Sequence, residues 1–154
     1  MTYILALDQG TSSSRALLYD AAGAVVASAQ QSINSSYPHD GWVEQDPEMI
    51  WTSILQVGRQ AIASANIQAT DIAAIGITNQ RETSVLWERQ TSHCLYNAIV
   101  WQDRRSAAFC EQLAELRYPA DQADGQPMAE LIEQTTGLII DPYFSSTKLA
   151  WLLD

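Results

Sequence analysis

A chain of 154 residues that is 47% hydrophobic and 17% charged has the make-up of a globular domain, and its length buries roughly two thirds of the surface of the extended chain. Eight basic residues against eighteen acidic ones give a formal charge of −10, which argues against a nucleic-acid surface. Any polyphosphate must then be held by local donors and metal against an unfavourable overall field.

The chain opens with Tyr3-Ile4-Leu5-Ala6-Leu7, uncharged and apolar as a buried strand reads. A corner follows, Asp8-Gln9-Gly10-Thr11-Ser12-Ser13-Ser14-Arg15, and Ala16 to Tyr19 returns as the second strand of a hairpin, with Gly10 free to take a positive φ. Asp20 to Gly23 is a turn and Ala24 to Gln31 a third strand, so the chain begins as an antiparallel meander. Ser35 to Trp42 is dense in turn residues. Asp46-Pro47-Glu48 then starts a helix, with an acceptor at the cap, Pro at the first helical position and an acid in the first turn. Ile50, Ile54, Val57, Ala61 and Ile62 carry it at helical spacing to about Ala65.

Asp71 to Thr78 reads as a strand covered on both faces and, because it is reached through a helix, parallel to an earlier strand. Thr83 to Trp87 and Ala98 to Trp101 are expected as short strands around the turn Arg89 to His93. Ser106 to Leu116 is expected as a helix and Tyr118 to Pro127, with two prolines and a glycine, as a loop. Met128 to Thr136 is expected as a helix leaving at Gly137, and Ser145 to about Leu153 as the last helix. The fold class is α/β: a mixed sheet beginning with three sequential antiparallel strands, flanked by helices.

Cys94 and Cys110 are isolated and read as thiols of a reducing compartment. No window approaches the roughly twenty apolar residues of a membrane span, and the N-terminus lacks the basic segment of a signal peptide. A cytoplasmic location is expected. Trp151, Leu152 and Leu153 are expected to expose apolar surface on the last helix and to favour self-association.

Four stretches carry candidate chemistry. The corner sets a carboxylate, Asp8, at a strand end beside small hydroxyl residues, unhindered N–H groups and Arg15; such groups can surround a phosphate, with Asp8 a hard oxygen ligand suited to Mg²⁺. The same residue types also build ordinary turns, and the corner lacks the lysine and following helix of a Walker loop. Arg81 and Glu82 close an apolar strand, where ligands of α/β sheets bind, and together can grip a polyol or merely form a surface ion pair. In a regular strand these neighbours face opposite ways, so serving one ligand requires irregular backbone. Trp101 suits the carbon skeleton of a polyol or a core position, and the Tyr143 hydroxyl suits a cleft or the ring simple packing.

The corner from Asp8 to Arg15, Gly41 to Pro47, Ile77 to Thr83, Tyr96 to Arg105 and Thr136 to Leu153 occur in the order seen in glycerol kinases, and the chain resembles that family over nearly its whole length. The resemblance implies a fold of the ribonuclease H-like, actin and hexokinase type, with this chain as an incomplete glycerol-binding first domain. It implies phosphoryl transfer from MgATP to glycerol. Asp8 would position Mg²⁺; Thr11, Ser12, Ser13 and Arg15 would meet nucleotide phosphates; Arg81, Glu82 and Tyr143 would hydrogen-bond glycerol, with Trp101 against its carbons. Ser12 stands where the family more usually has Thr. The resemblance also implies that the catalytic Asp and the nucleotide-binding domain fall beyond Asp154, so that little turnover is expected of the chain by itself. A related sugar or polyol kinase and a non-catalytic ligand-binding module are the alternatives.

Overall fold

Leu5, Ala16, Leu18 and Ala29 lie on one face of a sheet, against Val57 and Ala61 of a helix; these six residues are the buried core of the first of two compact units. The computed structural model describes residues 2–119 and 125–154. The first unit comprises Met1–Ser36 and Gln45–Arg81, and the second Tyr37–Glu44 and Glu82–Asp154.

In the first unit β1 (Tyr3–Gln9), β2 (Ser13–Tyr19) and β3 (Val25–Ser32) form the expected meander, and β5 (Ile72–Thr78) joins β1 in parallel, for a strand order of β3-β2-β1-β5. Between them, β4 (Glu44–Gln45) leads into α1 (Pro47–Ser64). The helix starts as its residues dictate: the Asp46 side chain accepts from the Glu48 N–H at 2.9 Å and Pro47 needs no partner for its nitrogen. Ser53, Val57, Gly58 and Ala61 make its buried stripe, and the small Gly58 admits the side chains of Leu5 and Leu7. After the helix, Asn66 takes the left-handed conformation that ends the spiral without a glycine.

Strand alternation sorts the corner's side chains. Leu5, Leu7 and Gln9 point toward α1 with Ser14, Ala16 and Leu18, whereas Asp8, Ser13 and Arg15 occupy the opposite face. Two expectations are corrected here. Gly10 is not left-handed; its need for glycine is the Ser13 carbonyl, which would lie 3.1 Å from an added Cβ. And β5 is not covered on both faces: Ile75 and Ile77 are 57% and 74% exposed, with no described element laid over them.

In the second unit only Ala98–Ile99 (β6) forms a strand of the expected pair; the segment before it is an irregular hairpin held by single bridges, Ser84 to Ile99 and Trp87 to Cys94. The polar turn uses bonds from Glu88 to His93 and a left-handed Ser92, leaving too little extended chain for a ladder. The helices α2 (Ala107–Glu115), α3 (Met128–Thr136) and α4 (Ser145–Leu153) lie where periodicity places them, and Gly137 ends α3 at φ 75°. The expected loop over Tyr118–Pro127 is corrected at its ends, where Arg117–Tyr118 (β7) pairs antiparallel with Gln126–Pro127 (β8); its residues 120–124 lie outside the described chain. Leu153 is exposed as expected, but Trp151 is not free surface: its ring packs edge-on against Trp42 and Tyr96.

Leu18 has no exposed surface and lies at the centre of the first unit's core. Leu18→Ala is expected to cost about 3 kcal/mol in urea unfolding, the transfer term plus a cavity; a loss under about 1 kcal/mol would contradict this packing.

Candidate functional site

The corner is built by short-range bonds. Gly10 N–H donates to the Ser13 carbonyl at 3.0 Å, closing the turn, and Ile33 N–H donates to the Ser12 carbonyl at 2.9 Å. Ser14, fully buried, donates to Gln9 Oε1 at 2.8 Å and sits 2.7 Å from the Ser53 hydroxyl of α1, so this serine anchors the corner to the helix. Asp8 and Arg15 are directly opposed across the β1–β2 pair and exposed, without an ion pair between them among the described residues. Ser13 accepts from Gln30 Nε2 at 3.0 Å on that same face. Thr11 and Ser12 form the tip.

Gln45 fixes the corner to the exit of β5. Its Nε2 donates to the Thr11 carbonyl at 2.7 Å and to Ser35 Oγ at 3.0 Å, and its Oε1 accepts from Gln80 Nε2 at 2.9 Å. Only 1% exposed, the amide spends both donor hydrogens and its oxygen on three segments. Thr78 pairs with Asp8 in parallel register, so Arg81, three residues on, leaves the sheet at the end that carries the corner; Arg81 is exposed.

The other three polyol candidates belong to the second unit, and two elements gather them. Glu82 takes a left-handed backbone at φ 60°, so the chain is irregular here rather than extended. Its Oε2 accepts from Ser145 N–H at 3.0 Å and Ser145 Oγ at 2.7 Å, capping α4 in place of Phe144, whose side chain cannot. Two residues before Ser145, the ring of Tyr143 meets Trp101 edge-on at 5.8 Å. The Asp141 side chain holds the Tyr143 N–H at 2.8 Å and lies 3.4 Å from Arg104, three residues after Trp101. Beside Glu82, Leu113, Ile132, Ile139 and Phe144 line a largely apolar cleft of about 250 Å³.

Arg105 underlies this arrangement. Its buried guanidinium donates to Glu44 at 2.7 Å and to both oxygens of Asp103 at 2.9 Å, and it lies 3.8 Å from the ring centre of Trp42 and 4.5 Å from that of Trp151. Asp103 also receives the Val43 N–H at 2.6 Å, and Glu44 receives the Tyr96 hydroxyl and the Asn97 amide, each at 2.9 Å. Burial alone would raise the Glu44 pKa. Hydrogen bonds from Asn97, Arg105 and Tyr96, with the charge of Arg105, outweigh it and hold the carboxyl below its ordinary range.

Gln45, Glu44 and Arg105 lie inside the stretches Gly41 to Pro47 and Tyr96 to Arg105, yet nothing in their letters tells which polar residue turns inward: Arg104 and Arg105 are adjacent, and only the second has a buried side chain. Lys148 is the one residue here that a count alone singles out, being the chain's only lysine, and it is fully buried. Among the described residues no three His, Cys, Asp or Glu gather as a metal cage, and no helix is long and apolar enough to cross a membrane.

A mixed sheet of three antiparallel strands joined by a parallel fourth and packed against a helix defines an α/β protein of the actin and hexokinase-like sugar-kinase type. The description "FGGY family of carbohydrate kinases, N-terminal domain" matches residues 3–154, and the chain belongs to that family. A glycerol kinase of Polaromonas sp. is 54% identical over 154 residues, all of this chain and 29% of that protein, and one of Paraburkholderia phytofirmans is 53% identical over 152 residues, 99% and 28%. The chain thus spans a little under a third of the length of these curated relatives. Among solved structures, a Plasmodium falciparum glycerol kinase with ADP superposes with a TM-score of 0.81 at 32% identity, over 99% of this chain and 29% of that one. A xylulose kinase from Rhodospirillum rubrum superposes with a TM-score of 0.80 at 26% identity, over 97% and 29%.

Because folding lowers the Glu44 pKa, the unfolded chain binds the proton more tightly. The stability Glu44 contributes is present above its ordinary value of about 4.5 and is lost as pH falls through the lower folded value. Glu44→Gln is expected to lower the melting temperature at pH 7 and to flatten the acid limb, so that the two proteins converge only once the pH has fallen through the lowered folded-state value. Parallel curves at every pH would contradict the assignment.

Proposed function

We propose that this chain supplies the glycerol-binding part of an ATP-dependent kinase that phosphorylates a terminal hydroxyl of glycerol, giving sn-glycerol 3-phosphate. The observation that carries the reading is the grouping of Glu82, Tyr143 and Trp101: a carboxylate and a phenol beside an indole edge suit a short chain with an oxygen on every carbon. The curated relatives at 53–54% identity, which bear the name glycerol kinase, support it over other sugar kinases. Glu82 uses Oε2 to cap α4, which leaves Oε1 for a substrate hydroxyl. Arg81 donates to the glycerol oxygens and Tyr143 adds a third hydrogen bond, while Trp101 covers the carbons.

Phosphoryl transfer is mostly positioning and stabilisation of spread charge. Thr11, Ser12, Ser13 and Arg15 meet the nucleotide phosphates. Asp8 fits Mg²⁺ as that ion prefers to be held, by one or two carboxylates shared with phosphate oxygens and water; its exposed position opposite Arg15 suits such sharing. When bound, Mg²⁺ neutralises charge on the phosphates. In this proposal the catalytic base and most of the nucleotide contacts are supplied by chain other than these 154 residues, which span a little under a third of the relatives' length.

Glycerol titrated into the 154-residue chain is expected to change tryptophan emission saturably, and Arg81→Ala to weaken binding by about tenfold, the loss of one charged hydrogen bond. Preferential binding of xylulose would favour a different sugar kinase, and the absence of any saturable response would contradict the reading. Mixed with glycerol and MgATP, the chain is expected to give no glycerol 3-phosphate above background; turnover at about 1–100 s⁻¹, the ordinary kinase range, would contradict the assignment of the base to residues outside these 154.

A further inference from the structure

Lys148 stands in a place that costs it three times over. It is fully buried, and lysine is almost never so unless paired. No carboxylate lies within ion-pair distance of it among the described residues. It also occupies the first turn of α4, where the helix dipole repels a cation. A methionine would fill the same space without desolvating a charge, so packing alone does not account for an ammonium here.

What the ammonium does touch is main chain. Nζ donates to the Pro142 carbonyl at 3.2 Å and to the Tyr143 carbonyl at 2.5 Å. The same short loop has its Tyr143 N–H held by the Asp141 side chain and its Phe144 N–H by the Asp141 carbonyl at 3.2 Å. The peptide groups on either side of Tyr143 are thereby fixed from both donor and acceptor ends, and the ring has a set direction against Trp101 and Phe144. Burial lowers the Lys148 pKa, opposed by the charges of Glu82, Asp103 and Asp141, which lie on the segments around it.

We propose that Lys148 is a positioning residue that aims Tyr143 at the polyol by clamping the carbonyls of Pro142 and Tyr143. The role of Tyr143 toward glycerol rests on the function proposed above; the clamp itself does not.

The test exploits the single lysine. In the ¹⁵N-lysine-labelled chain, one ε-ammonium signal is expected to persist at neutral pH, protected by burial and by its two bonds, and an ε-amine that exchanges as fast as a free lysine would overturn the clamp. In Lys148→Met, nuclear Overhauser contacts between the Tyr143 and Trp101 rings are expected to be lost, while contacts within β1, β2 and β3 stay unchanged. A folded Lys148→Met that keeps the ring contacts would likewise overturn it; should that variant fail to fold, the wild-type ammonium signal still decides. Glycerol binding, read in parallel, is expected to weaken about tenfold in Lys148→Met. Wild-type protein that does not bind glycerol counts against the functional reading alone and leaves the clamp to be judged by the ammonium signal and the ring contacts.

Discussion

A guanidinium that has lost all contact with water must be compensated on every side, and Arg105 is compensated twice. Glu44 and Asp103 take its hydrogen bonds in the plane, while Trp42 and Trp151 lie within cation–π range of it. Because these partners come from three stretches of the second unit, the charge makes those stretches commit to one arrangement. The loop before β4, the turn after β6 and the end of α4 all meet at Arg105. Trp101 sits four residues ahead of this centre on the same turn, and Tyr143 just ahead of the helix that Trp151 pins. Neither of these two candidate rings is placed by a regular strand; both are placed by loops stiffened through buried polar groups.

The first unit follows the same logic with a neutral group. There α1 and the sheet supply apolar burial, but the position of the corner relative to the exit of β5 is set by the Gln45 amide, bonded to Thr11, Ser35 and Gln80. Sheet alternation then does the sorting, sending Gln9 and Ser14 inward to α1 and leaving Asp8, Ser13 and Arg15 on the other face. One face of β1 and β2 is structural and the other is available for chemistry.

Much of this was legible in the letters and some was not, for reasons that can be named. Helices α1, α3 and α4 announce themselves through Asp46-Pro47, Gly137 and apolar spacing, since those signals are local. The parallel joining of β5 to β1 follows from the intervening helix. The weak ladder around Ser84 and Trp87 was not legible, because apolar letters there serve single bridges rather than a sheet, and the exposure of Ile75 and Ile77 depends on what lies over them, which a local pattern does not encode. Gly10 was legible as a glycine position but for another cause, the nearness of the Ser13 carbonyl rather than a left-handed φ. The candidate residues carried by the resemblance stand at strand ends and turns, as ligand-facing residues do. The residues that hold them, Gln45, Arg105 and Lys148, look like any surface polar side chain until their partners, distant in sequence, are seen.

The central physical claim is that one buried guanidinium organises the second unit. Hydrogen exchange of the wild type and of Arg105→Lys tests it most directly, because lysine keeps the charge but loses both the planar fork and the stacking. Exchange is predicted to quicken at Val43, at residues 100–105 and through α4, with β1, β2, β5 and α1 retaining their protection. Unchanged exchange around Val43, or an equal loss of protection throughout the chain, would contradict the claim.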